Sequence, residues 1–103
     1  MEVINNEKFN ELLKGDKLVV VDFFATWCRP CSMMSPILDK VSSDMQNVVF
    51  AKIDVDEEMD LAQSYGILSI PCIIMFKDGK EAERLIGFTT EDELKTAIEK
   101  VLN

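Results

Sequence analysis

An apolar run broken only by one acid, Leu18-Val19-Val20-Val21-Asp22-Phe23-Phe24-Ala25, leads almost directly into Trp27-Cys28-Arg29-Pro30-Cys31. Branched and aromatic residues at this density read as a central strand buried on both faces. After the cysteines the spacing changes: Met34, Ile37, Leu38, Val41 and Met45 recur at helical intervals. Cys31 therefore falls in the first turn of a helix, and Pro36 within that helix should remove one hydrogen bond and bend its axis. Helical and strand signals alternate along the rest of the chain as they do at this junction, a rhythm that suggests an α/β sheet covered on both faces.

The flanking sequence agrees. Glu2–Ile4 suits a short strand, and Asn5 or Asn6 can cap a helix that buries Phe9, Leu12 and Leu13 and ends at Gly15. Val48–Val55 reads as a second strand, and Met59–Tyr65 as a short helix stopped by Gly66. Ile73–Phe76 and Glu81–Ile86, joined around Asp78-Gly79, predict an antiparallel hairpin at the sheet's edge. Thr90 and Glu93 have the spacing of a capping box, ahead of a closing helix striped by Leu94, Ala97, Ile98, Val101 and Leu102. The order is β-α-β-α-β-α-β-β-α, a mixed central sheet with helices on both faces. No linker or repeat divides the chain, so its 103 residues are expected to form one domain, 1–103.

A net charge of −8 argues against nucleic acid or an anionic membrane as partner. No apolar stretch approaches the roughly 20 residues that cross a bilayer, so a soluble protein is expected. The N-terminus, Met1-Glu2-Val3-Ile4-Asn5, lacks the basic start and long apolar stretch of an export signal. The expected setting is reducing cytoplasm, where three cysteines serve chemistry rather than a disulfide scaffold. Histidine is absent, which removes the commonest general base and a common metal ligand.

Two cysteines separated by two residues, after a strand and opening a helix, carry a redox hypothesis. Unpaired N–H groups and the positive end of the helix dipole stabilise an anion, so Cys28 is expected to have a lowered pKa and supply the attacking thiolate. Cys31, one turn on, would resolve the mixed disulfide. The competing reading, half of a zinc site, needs two more ligands, for which only Cys72 and carboxylates remain. Asp22 is costly within so apolar a run. Burial would raise its pKa and make it a candidate proton acceptor for the second thiol. Alternatively it reaches solvent at the strand's end, or forms an ion pair with Lys52 that both holds it and tunes it.

Val-Asp-Phe-Phe-Ala-Thr-Trp-Cys-Arg-Pro-Cys, followed by Pro36, Ala-Lys-Ile-Asp-Val-Asp, Tyr-Gly-Ile, Ile-Pro, Lys-Asp-Gly and Ile-Gly, resembles the thioredoxin family from end to end. The resemblance implies the thioredoxin fold, a mixed five-stranded sheet flanked by four helices. It also implies general protein-disulfide reduction in which Cys28 attacks, Cys31 resolves, Asp22 accepts a proton and Lys52 sits beside it. Pro71 would be the family's cis-proline. Trp27, Pro30, Ile70, Pro71, Ile86 and Gly87 would dock substrate, with the Ile70 backbone pairing to an extended peptide. For Trp27 and Ile86 the alternative is plain core packing. The implied protein is a monomer with no bound cofactor. Its partners are disulfide-containing proteins and a thioredoxin reductase that supplies reducing equivalents from NADPH.

Four positions depart from the family pattern. Arg29 replaces a usual glycine. A cation beside the thiolate should make the protein modestly less reducing and favour acidic substrates, unless it is simply solvated. Cys72 stands where threonine is usual. It is either a third thiol close to the dithiol, able to divert the disulfide or join Cys28 and Cys31 in a metal or iron–sulfur site, or a small buried residue. Phe24 replaces a frequent tryptophan, and Ser32 a frequent lysine, which leaves Arg29 as the one cation expected near the dithiol. Outside redox chemistry, the chain could be a binding module that uses its apolar patch without turnover.

Overall fold

The computed structural model describes residues 1–103. The elements are β1 (Glu2–Val3), α1 (Asn6–Leu13), β2 (Val19–Phe24), α2 (Arg29–Asp44), β3 (Val49–Asp54), α3 (Met59–Ser64), β4 (Cys72–Lys77), β5 (Lys80–Ile86) and α4 (Glu91–Leu102). They form one sheet of order β1-β3-β2-β4-β5. β1 and β2 run parallel to β3, whereas β4 is antiparallel to both β2 and β5. This is the thioredoxin fold, with the expected order of elements. The hairpin turns at Asp78 and Gly79, both at positive φ (55° and 78°), the conformation that a two-residue hairpin turn requires.

Strand alternation divides the core. Val19, Val21 and Phe23 of β2 face α1 and α3, packing with Phe9, Ile53, Ile74 and Phe76. On this side Phe9, Tyr65 and Phe76 meet edge-to-face, with centroids 5.2 to 5.8 Å apart. Val20 faces the other way, toward Met34, Leu38 and Val41 of α2 and Leu94 and Ile98 of α4. The same alternation sends Asp22 to the α2 side, beneath the first turn of that helix.

Helix termini follow the side chains that satisfy them. The Asn5 side chain accepts from the Lys8 N–H at 2.9 Å. The Thr90 hydroxyl accepts from the Glu93 N–H at 3.2 Å, and the Glu93 carboxylate accepts from the Thr90 N–H at 3.0 Å, a complete capping box. Pro36 lies inside α2, and the helix continues through it. The proline has no N–H to donate, so it removes one hydrogen bond without ending the helix. No helix is long and apolar enough to cross a membrane.

Candidate active site

Cys28 is the N-cap of α2, with φ −85° and ψ 110°, and its sulfur accepts from the Cys31 N–H at 3.2 Å. Pro30 occupies the first turn, where a missing N–H costs nothing. This geometry brings Cys28 and Cys31 to a Cα separation of 5.3 Å and joins them in a disulfide. Only a sliver of either residue is exposed, 5% of Cys28 and 3% of Cys31. Ala25 and the half-buried Phe24, Val55 and Ile70 pack around them.

Ile70 packs against the pair, and the Ile70–Pro71 peptide that follows it is cis. The Pro71 carbonyl accepts from the Gly87 N–H at 2.8 Å, which ties the proline loop to the end of β5. Gly87 has φ 89°, a conformation that other residues rarely adopt. Trp27 is 71% exposed and Ile86 65%, so neither packs in the core. Trp27 is instead fixed from outside: its indole N–H donates to Asp56 at 2.8 Å. That contact joins residues 29 positions apart and left no signal in the spacing. Phe88, 48% exposed beside Gly87, is a further apolar side chain that the sequence reading did not single out.

Asp22 is fully buried, and neither carboxylate oxygen has a hydrogen-bond partner. Burial pushes its pKa up to about 6, against an opposing pull from the Lys52 charge. It does not reach solvent at the strand's end. Lys52 lies opposite it across β2 and β3, yet its ammonium makes no ion pair with the carboxylate. It donates to the Ser35 hydroxyl at 3.4 Å and sits 4.5 Å from the centre of the Phe24 ring. A cleft of about 300 Å³ beside the disulfide is lined by Phe24, Thr26, Cys31, Ser32, Ser35 and Lys52. Arg29 is therefore not the one cation near the dithiol, since Lys52 shares a cleft with Cys31.

Cys72 is a free, buried thiol packed with Phe23, Ile53 and Ile74 on the α1 and α3 side, outside the cluster that holds Cys28 and Cys31. Burial raises its pKa and favours the protonated form. No group of three or more histidine, cysteine, aspartate or glutamate side chains is placed to hold a metal ion, so the three cysteines do not gather into a site.

The thioredoxin family model matches residues 1–100. The chain belongs to the thioredoxin family. It is 43% identical to the thioredoxin of Mycoplasmoides gallisepticum over 93 residues, 90% of this chain and 93% of that one. It is 48% identical to thioredoxin-2 of Saccharomyces cerevisiae over 82 residues, 80% of this chain and 79% of that one. A solved thioredoxin from Plasmodium falciparum superposes with a TM-score of 0.90 at 33% identity, covering 97% of this chain and 98% of that one. The activity is that of the family, protein-disulfide reduction by thiol–disulfide exchange, and the chain carries the required pair as Cys28 and Cys31.

Proposed function

We propose that the dithiol form of this thioredoxin-family protein attacks a disulfide in another protein through Cys28 and releases the reduced substrate through Cys31. The observation that carries these roles is the position of Cys28 as N-cap of α2, where its sulfur already accepts the Cys31 N–H. The same donor and the helix dipole favour a thiolate there. In the first step the Cys28 thiolate bonds to one substrate sulfur, and the other leaves as a thiolate that takes a proton from water. In the second, Asp22 accepts the Cys31 proton, the Cys31 sulfur bonds to Cys28, and the remaining substrate sulfur leaves. A carboxyl with a pKa of about 6 is suited to exchange a proton near neutral pH.

Trp27, Arg29, Pro30, Ile70, Pro71, Ile86 and Gly87 surround the pair as the docking surface. The Leu68, Ser69 and Ile70 N–H groups make no hydrogen bond within the protein, so this edge is free to pair with an extended peptide. The cycle closes when a thioredoxin reductase, drawing on NADPH, returns the disulfide to the dithiol, and no cofactor is bound by this chain. We place the protein in the reducing cytoplasm, acting as a monomer of one domain, with Cys72 as packing rather than chemistry.

Trapping tests the assignment. A Cys31→Ser variant, incubated with an oxidised protein substrate, should accumulate a mixed disulfide through Cys28 that dithiothreitol releases, and Cys28→Ser should not. Accumulation through Cys31 in the Cys28→Ser variant, with none through Cys28, would reverse the roles.

A further inference from the structure

Asp22, Lys52 and Ser35 share the α2 face of the sheet, yet the cation does not sit on the anion. Lys52 lies opposite Asp22 across adjacent strands. A lysine has a long flexible stem, and by charge alone its ammonium is drawn to an unpartnered carboxylate. Asp22 nevertheless has no hydrogen-bond partner, while the Lys52 ammonium rests on the Ser35 hydroxyl at 3.4 Å and over the Phe24 ring at 4.5 Å. Ser35, Phe24 and Lys52 all line the cleft that also reaches Cys31. A hydroxyl and an aromatic face are each modest attractions, but here they act together on one ammonium in a surface cleft.

We propose that Ser35 is a positioning residue: with the Phe24 ring it anchors the Lys52 ammonium in the open cleft, off the Asp22 carboxylate, and so keeps Asp22 able to hold the Cys31 proton. The last clause rests on the proton-acceptor reading of Asp22 given above. An opposite charge in contact with a carboxylate favours its ionised form and so weakens its hold on a proton. Few other groups bear on Asp22. From α2 come Cys28 and Cys31, joined to each other in this state, and the neutral Ser35. On the same face β4 contributes Ile73, and α4 contributes Leu94 and Ile98. Cys72 of β4 packs on the opposite face, where burial favours its protonated form. Burial is the larger influence on Asp22, and Lys52 is the charge that opposes it, so the position of the ammonium decides how far the carboxyl is drawn back toward its ionised form.

The test is an NMR titration of the Asp22 carboxyl carbon in the oxidised protein, without substrate. Ser35→Ala, which suits a helix and leaves no polar group behind, should lower the Asp22 midpoint by about one pH unit as the ammonium swings inward. Ser35→Thr, which keeps the hydroxyl, should restore the wild-type midpoint. In a Lys52→Gln background, Ser35→Ala should have no effect. An Asp22 midpoint unchanged by Ser35→Ala, or lowered equally when Lys52 is already glutamine, overturns the proposal. A second readout separates the two layers: the pH dependence of disulfide reduction by Ser35→Ala should move with the midpoint. If the midpoint falls and the reduction profile does not move, the placement of Lys52 stands and the proton-acceptor reading of Asp22 fails.

Discussion

Burying an ionised aspartate with no hydrogen-bond partner costs stability, and Asp22 bears that cost at neutral pH. Its pKa is raised from 3.8 to about 6 by burial, so between those values the folded protein holds a proton that the unfolded chain has lost. Stability must then fall as pH rises through that window, by roughly 3 kcal/mol, and stay low above it. Asp22→Asn removes the ionisation and should stabilise the protein at pH 7 by an amount of that order, while leaving stability near pH 3.5 little changed. Denaturant unfolding at both pH values measures this, and an equal effect at the two would show that ionisation is not the cause. The presence of a costly acid was legible from the apolar residues on either side of it. Its lack of a contact partner was not, because that depends on where Ser35 and Phe24 hold Lys52, a matter of three elements meeting in space.

At the scale of elements, α4 shows how local chemistry and packing divide the work. Thr90 and Glu93 satisfy two N–H groups at its start, while Leu94 and Ile98 bury its apolar stripe. Lys40 and Asp44 of α2 meet Glu91 and Lys95 of α4 at 2.8 and 2.9 Å, and Glu91 and Lys95 pair within α4 at 3.1 Å, a partly exposed lattice of charges of small net worth. Thr90→Ala removes the cap and should cost about 1 kcal/mol, with a drop of about 4–8 °C in melting temperature. Activity should be retained, as the cap touches neither cysteine. Elements of this kind were legible in the sequence, since capping and periodicity act over three or four residues. The contacts that join elements left no periodic trace: the Trp27 to Asp56 bond, and the buried Thr89 N–H that donates to the Met34 sulfur at 3.2 Å, close loops of 29 and 55 residues.

For the whole molecule, the sheet order β1-β3-β2-β4-β5 places β2 at the centre, and with it the strand end from which the disulfide projects. The loops after β2, after α3 and after β5 converge there, bringing Cys28, Ile70 and Gly87 together from three parts of the chain. The dithiol was legible because its strand-to-helix context is local. The surrounding surface was legible only through the family resemblance, since nothing in the spacing brings Pro71 to Gly87. Cys72 marks the limit of that reading: proximity to Pro71 in sequence suggested the site, but strand alternation turns its side chain into the core beyond. The most direct measurement is insulin disulfide reduction driven by dithiothreitol, with wild type beside Cys28→Ser and Cys72→Ala. Turnover well above dithiothreitol alone, abolished in Cys28→Ser and kept in Cys72→Ala, is the predicted result. A wild-type rate no faster than dithiothreitol alone, or one that survives in Cys28→Ser, would contradict the account.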